Sequence, residues 1–514
     1  MTRLIAAQIP PSPETTDPSL AANFQQFQWL PHGDFLVQFG HKNGVIEGRL
    51  AKGWELSPDG KTWTFPLRDD ATFHFGFGNF TSADVEASLN HYLRAESEIA
   101  RVNHMKDRFG IPRENQPPIP AGVVDTSAPH QVVFNLAQPD AEFFYEMSDR
   151  WANIMLSQEQ MESAPYEEWV RKVAGTGSYQ FVETQLGNYT LWENAPGTHY
   201  FKEPAFEELQ ILYVLEPSTR LAMLLGGQAH IVELPTELSG EAKKQGMEVA
   251  LTTLGASVVF GVMGGQFDTG LDQYDPDVVW LNKDVRKAIN MAIDRNELVT
   301  ELWGDVAEKI IGPPMWYPRN SGWNPQWEQD FPEMYRYDPE EAKQLLSAAG
   351  YPEGFTIKWK AFARPGIPWR ELVEATIGYL DAVGVNLEVE ELEFSTFRGH
   401  YRQFDHAGWG FWWTAQENTP ATRSSFHHNL NRNQQQWYVS TTFQSNLEEL
   451  VVTMDSDKRH DLLQAMGDEL FYEYALIPLV SVRVQYAYNP EVVSEFLTTG
   501  LNGIRDLEFV VPAQ

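Results

Sequence analysis

The chain has 514 residues, too many for one hydrophobic core and suited to two or three subdomains, and its apolar and charged fractions are those of a globular protein. Its 38 basic and 71 acidic residues leave a net charge of -33, which sets aside nucleic acid and anionic lipid as partners. The absence of cysteine excludes disulfides, thiolate metal sites and a cysteine nucleophile, and no apolar run is long enough to span a membrane.

The first residues, MTRLIAAQIPPSPETTDP, hold one apolar run, too short for a signal peptide. The expectation is either a cytoplasmic chain or one whose export signal has been removed. Leu4 to Ile9 reads as a strand, followed by a Pro-rich loop. Gln25 to Leu30 then brings Phe27 and Trp29 into a loop or helix. Next, Trp54 and Leu56 alternate on one strand, and Trp63, Phe65 and Leu67 on another. Pro58-Asp59-Gly60 lies between them, where Gly tolerates the positive φ of a tight turn. Thr81-Ser82-Ala83-Asp84 has the form of a capping box, with Val85, Leu89, Tyr92 and Leu93 on one face of the helix it starts.

Further on, Asp338 caps a helix that has Pro339 in its first turn, Glu341 closing the box and Gly350 at its end. Phe355, Ile357 and Trp359 alternate as a half-buried strand. A helix over about 369–382 follows, and Val385, Leu387 and Val389 alternate again. This β-α-β unit predicts a parallel pair. Trp316, Tyr317, Trp323 and Trp327 read as packing for a Pro-rich loop. The stretch from Phe404 to Phe426 is the most aromatic: Trp409, Phe411, Trp412 and Trp413 precede neutral polar residues and Pro420. Flat rings beside amides and hydroxyls suit a ligand cleft, and equally a packed strand and loop.

The segment Leu50 to Leu89, with its Trp54-Glu55, Asp59-Gly60, Leu67-Arg68, Phe73-His74 and Thr81 to Val85, resembles the signature of the family 5 extracellular solute-binding proteins. These are the peptide- and nickel-type binding components of ABC importers. Further similarities follow in the family's order: Gly175 to Glu183 (GTGSYQFVE), Leu191 to Tyr200, Leu224 to Ile231, Val285 to Arg295 (VRKAINMAIDR) and Tyr337 to Leu346 (YDPEEAKQLL). His230 stands where the family has an aspartate.

The resemblance implies an α/β, periplasmic-binding-protein-like fold (type II, cluster C-like). Two α/β lobes joined by a hinge enclose the ligand, and a third, β-rich domain is inserted. It divides the chain into lobe I (1–45, 175–255 and 485–514), the inserted domain (46–174) and lobe II (256–484). It further implies a monomer outside the cytoplasm, periplasmic or extracellular and lipid-anchored in some precursors, that meets ABC permease subunits and needs no cofactor.

In peptide-binding relatives a lobe II loop of the form WxxDYxDP offers an aspartate to the peptide's α-amino group, because a buried ammonium needs a paired carboxylate. Matching Pro420 to the family proline places Gln416 at that aspartate and Thr419 at the second one, with Glu417 next door. A neutral amide among tryptophans suits a hydroxylated ligand, so the expectation is an oligosaccharide, with an oligopeptide or amino-acid derivative as the alternative. The expected contacts are Trp409, Phe411, Trp412, Trp413, Gln416, Glu417 and Arg423, with Phe27 and Trp29 facing them. His427-His428, near His400 and His406, make a poor metal set because adjacent strand residues point to opposite sides. An enzyme is the rival class. A glycosidase needs two spaced carboxylates, which 71 acidic residues always offer. No nucleophile elbow, phosphate loop or dinucleotide fingerprint is present.

Overall fold

The computed structural model describes residues 2–11, 14–20, 26–99, 102–149, 154–253, 257–362, 368–392, 396–397, 409–414, 419–421, 424, 428, 437–499 and 503–514. The chain divides into two units, one of residues 1–254 and 483–514, the other of residues 255–482.

In the first unit, strand Arg3–Gln8 lies at the middle of a seven-stranded sheet. Its neighbours, Glu208–Tyr213 and Ile231–Leu234, both run parallel to it. Beyond Glu208–Tyr213 lie Tyr189–Asn194 and then Tyr179–Gln185, each antiparallel to the last. Alternation assigns the two faces. Leu4 and Ala6 join Trp192, Leu209 and Ile211 in one apolar layer, whereas Ala7 joins Leu224 and Ala242 of the helices Pro217–Leu225 and Thr236–Lys244 on the other. Burial lowers the pKa of His230, and its Nδ1 accepts the Ile5 N–H at 3.1 Å.

The same unit carries a four-stranded antiparallel sheet in the order Glu55–Leu56, Thr62–Pro66, Gln131–Asn135, Val124–Ala128. The expected hairpin is its first pair, and Gly60 takes φ +71° in the turn. Trp63, Phe65 and Leu67 are buried against Val85 and Leu89 of helix Ser82–Tyr92. Thr81 and Asp84 form the capping box at the start of that helix.

The sequence motifs far apart in the chain meet here. His74 Nε2 bonds the Gly177 carbonyl at 2.8 Å, and its backbone N–H donates to Gly175. Residues 175–179 lie so close to the Pro31-His32 backbone that a Cβ on Gly175 would stand 1.7 Å from the His32 carbonyl oxygen. The glycines of GTGSY are therefore a packing requirement.

In the second unit, strand Leu476–Val482 runs between Ala307–Lys309 and Ser257–Met263, and Trp409–Thr414 closes the far edge. Strands Phe355–Phe362 and Val385–Leu392 pair in parallel through helix Trp369–Asp381, as the β-α-β pattern predicts. Asp338 caps helix Pro339–Ala348 by accepting the Glu341 N–H at 2.9 Å. The expected return bond from Glu341 is not the one made. Its carboxylate pairs with Lys287 at 2.9 Å and with Arg336, two cations that outbid a neutral amide. Trp316 and Trp327 are core: their indole N–H groups donate to the Leu463 carbonyl and to Asp468.

Candidate functional site

Strand Trp409–Thr414 pairs antiparallel with Ser257–Met263, so its side chains alternate between two faces. Trp409 and Phe411 share one face. Both meet Trp359 edge-on, with ring centroids 5.3 Å apart in each case. They are only 1% and 2% exposed. Expected at the ligand, these two rings are instead packing groups, because Trp359 from the parallel pair fills their face. Gly410 makes the approach possible: it takes φ +152°, and a Cβ there would stand 2.1 Å from the Trp359 indole nitrogen.

Trp412 lies on the opposite face, among Phe362, Phe397 and Trp437 at 5.9, 6.0 and 6.2 Å between centroids. It is half-buried. That leaves part of a large ring accessible at the end of an edge strand, just before residues 415–418. The backbone of Trp413 belongs to the strand, but its side chain lies outside the described residues, as do Gln416, Glu417 and Arg423. Past that segment Thr419 is partly buried, and Pro420 and Ala421 are buried.

Phe27 and Trp29, expected on a facing wall, are both in the core of the first unit. Phe27 packs beside Gly503, whose Cβ would meet its ring at 2.3 Å, and Trp29 joins Tyr92, Leu156 and Trp169. The Trp29 N–H donates to the Thr16 carbonyl at 3.3 Å. Of the histidines weighed for a metal, His427, His400 and His406 lie outside the described residues. His428 is buried, packs on Trp437 and Phe443, and shares a 2.7 Å hydrogen bond with the Tyr438 carbonyl. Burial draws its pKa down to about 4, so it is neutral and Nδ1 is the donor. Among the described residues, no three His, Cys, Asp or Glu side chains gather as a metal set.

The strongest buried charge centre is one the sequence did not reveal. Asp34 accepts from Arg49 Nε at 2.7 Å, Thr176 Oγ1 at 3.0 Å and the Tyr200 hydroxyl at 2.8 Å. Burial opposes its ionisation, yet Arg49, His199 and Tyr200 together hold its carboxyl well below the usual range. Glu508 stands 3.6 Å from the same guanidinium. A second buried pair, Arg505 with Asp149, ties the C-terminal segment to residues 46–174. No local pattern marks Asp34 or Asp149, since their partners lie elsewhere in the chain. These ion pairs join distant segments of the first unit.

The comparisons with known proteins agree with this scaffold. The model of the family described as bacterial extracellular solute-binding proteins, family 5 middle, matches residues 45–434. The dipeptide-binding protein of Escherichia coli K12 is 24% identical over 430 residues, covering 80% of this chain and 75% of that protein. Heme-binding protein A of Haemophilus influenzae is 26% identical over 404 residues, covering 75% and 69%. In three dimensions the chain is similar to HbpA2 from Haemophilus parasuis, with TM-score 0.81, 19% identity and all of both chains covered. It is similar too to the periplasmic binding protein DppA from Helicobacter pylori in complex with the peptide STSA, with TM-score 0.70, 19% identity, and 100% and 98% covered. No helix among the described residues is long and apolar enough to cross a membrane. The chain belongs to family 5 of the bacterial extracellular solute-binding proteins, the substrate-binding components of ABC importers.

Proposed function

We propose that this protein captures a short peptide or a related amino-acid derivative outside the cytoplasm and hands it to an ABC permease. The observation that carries the ligand class is the similarity to a dipeptide-binding protein over 80% of the chain. The oligosaccharide expected from Gln416 gives way to it. One neutral amide is weak evidence for a sugar, and neither curated relative named above carries a sugar in its name.

Capture works by a shift between open and closed states. A ligand that touches both lobes favours the closed state by the difference of its affinities for the two. In this proposal lobe I comprises residues 1–45, 175–255 and 485–514, lobe II comprises 256–484, and 46–174 is the inserted domain. Trp412 offers the exposed part of its ring to the ligand; Trp413, Gln416, Glu417 and Arg423 are the further contacts of this proposal, and their side chains lie outside the described residues. No step of this cycle makes or breaks a covalent bond.

The test is native mass spectrometry of the purified protein, followed by titration with a di- and tripeptide mixture. Bound masses that fit peptides support the proposal, and hexose or pentose increments overturn it. A second reading comes from the similarity to heme-binding protein A. Titration with hemin decides it, since a shifted Soret band at one equivalent favours heme over peptide. Within the peptide reading, Trp412→Ala lowers affinity about tenfold, the scale of one lost aromatic contact, measured below the melting temperature of the variant because the ring also packs on the core. Unchanged affinity in that variant removes Trp412 from the site.

A further inference from the structure

Strands Arg3–Gln8 and Glu208–Tyr213 run parallel, and Tyr179–Gln185 shares their direction through two antiparallel steps. Their carboxyl ends therefore point the same way. A cavity of about 20 Å³ lies beside the hairpin that leaves Tyr179–Gln185 at the sheet's edge, with Glu14, Gln28, Trp29, Arg171, Phe181 and Thr184 among its lining residues. It belongs wholly to the first unit.

Among the described residues, two buried polar atoms of this lining have no hydrogen-bond partner: Glu14 Oε1 and Gln28 Nε2. Gln28 is only 7% exposed. The other Glu14 oxygen accepts the Gly187 N–H at 2.6 Å, at the tip of the hairpin that joins Tyr179–Gln185 to Tyr189–Asn194. The carboxylate is thus held in place with one oxygen unused. Buried polar atoms are nearly always paired, so an unused acceptor and an unused donor among the residues lining one cavity call for an occupant that both donates and accepts.

The electrostatics choose its charge. His32 also lines the cavity, but burial draws its pKa down to about 3, so it is neutral, with Nδ1 accepting from Trp192 at 3.0 Å. Glu14 supplies a negative charge to the lining, which favours a cation. Arg171 is exposed, which keeps its own charge in solvent at the rim. The volume suits one ammonium-sized group and excludes a whole peptide.

We propose that this cavity anchors the primary ammonium group of the solute, with Glu14 as its counter-carboxylate. Gln28 donates to the adjoining carbonyl or carboxylate oxygen, and Arg171 meets a carboxylate at the rim. The proposal rests on the peptide reading above. It supplies the carboxylate that a peptide amine needs and that Gln416 does not provide.

The test uses the full chain, as wild type, Glu14→Gln and Gln28→Ala. Glu14→Gln keeps an acceptor for Gly187, so its fold is expected to hold, with an unchanged melting temperature as the check. Each protein is titrated calorimetrically with a di- and tripeptide mixture and with the same peptides N-acetylated. The expected result is that wild type prefers free amines and that Glu14→Gln loses about tenfold to a hundredfold for them, with no loss for acetylated peptides. Gln28→Ala is expected to weaken both sets about equally, because its contact is to oxygen.

If Glu14→Gln binds free amines as tightly as wild type does, the subsite is refuted, the cavity holds only water, and the peptide reading stands. If wild type binds neither set, the peptide reading falls and the amine anchor falls with it.

Discussion

Replacing Asp34 with alanine removes one acceptor from three donors that come from separate parts of the first unit: Arg49, Thr176 and Tyr200. Asp34 and Arg49 are 2% and 3% exposed at the side chain, so the guanidinium cannot turn to water. Breaking a buried pair from one side costs about 3–5 kcal/mol. Glu508, 3.6 Å from Arg49, and the Phe201 ring, 4.0 Å from its guanidinium carbon, compensate in part, which sets the expectation near 3 kcal/mol. Removing both charges in Asp34→Leu/Arg49→Met should recover part of that loss, because apolar groups of similar volume replace buried pairs at little cost. The hydroxyls of Thr176 and Tyr200 stay unpaired, so about 1–2 kcal/mol remains lost.

The assay is urea denaturation with hydrogen exchange read peptide by peptide, since two units need not unfold together. Protection should fall around residues 34, 49, 176 and 200 and hold in residues 257–482. A single-mutant cost under about 1 kcal/mol would refute the reasoning, as would a double mutant no more stable than Asp34→Ala. The depressed carboxyl fixes the sign of the pH dependence. Its contribution is fully present above the unfolded value of 3.8 and is lost as pH falls below it.

Two further perturbations follow from the second unit. Gly410→Ala places a methyl group 2.1 Å from the Trp359 indole nitrogen at a φ of +152°, so a loss of about 1–3 kcal/mol in the denaturation midpoint is expected. A midpoint within a few tenths of a kcal/mol of wild type would mean that Trp359 yields freely. His428, neutral in the fold and drawn down to about 4, gains a proton more readily when unfolded, so its stability is present above 6.5 and is lost as pH falls toward 4. Hydrogen exchange of residues 437–452 between those pH values should show the decline in wild type and a flatter profile in His428→Gln; identical profiles would assign the decline to other groups.

What was legible in the sequence was local. The Trp54 to Leu67 hairpin needs only alternation and Gly60, and the Thr81–Asp84 box needs only three-residue spacing, so both follow from their own residues. The parallel pair over 355–392 likewise follows from two alternating runs and a helix between them. The alternation of Trp409, Phe411 and Trp412 was equally visible, yet it could not say which face Trp359 would occupy, fifty residues upstream. The same blindness covers Asp34 and the unpaired oxygen of Glu14, whose roles exist only once distant segments are packed together.

The motifs that carry the family resemblance explain why the ligand class is the part they leave open. His74, Gly175 and Gly177 hold one another and the 31–32 backbone, and Asp338 starts a helix. These residues satisfy backbone groups and close packing, needs that any member of the fold has whatever it carries. They therefore identify the frame and are silent about the cargo. The neutral amide of Gln416, the threonines and the tryptophans of 409–419 cannot decide the cargo either, because amides and hydroxyls pair with a sugar hydroxyl or a peptide group equally well. A charge requirement discriminates more sharply, because an amine without a carboxylate is costly to bury in a way that a mispaired hydroxyl is not. Under the peptide proposal the carboxylate to test is therefore Glu14, which the Gly187 N–H holds by one oxygen in a cavity that Gln28 also lines.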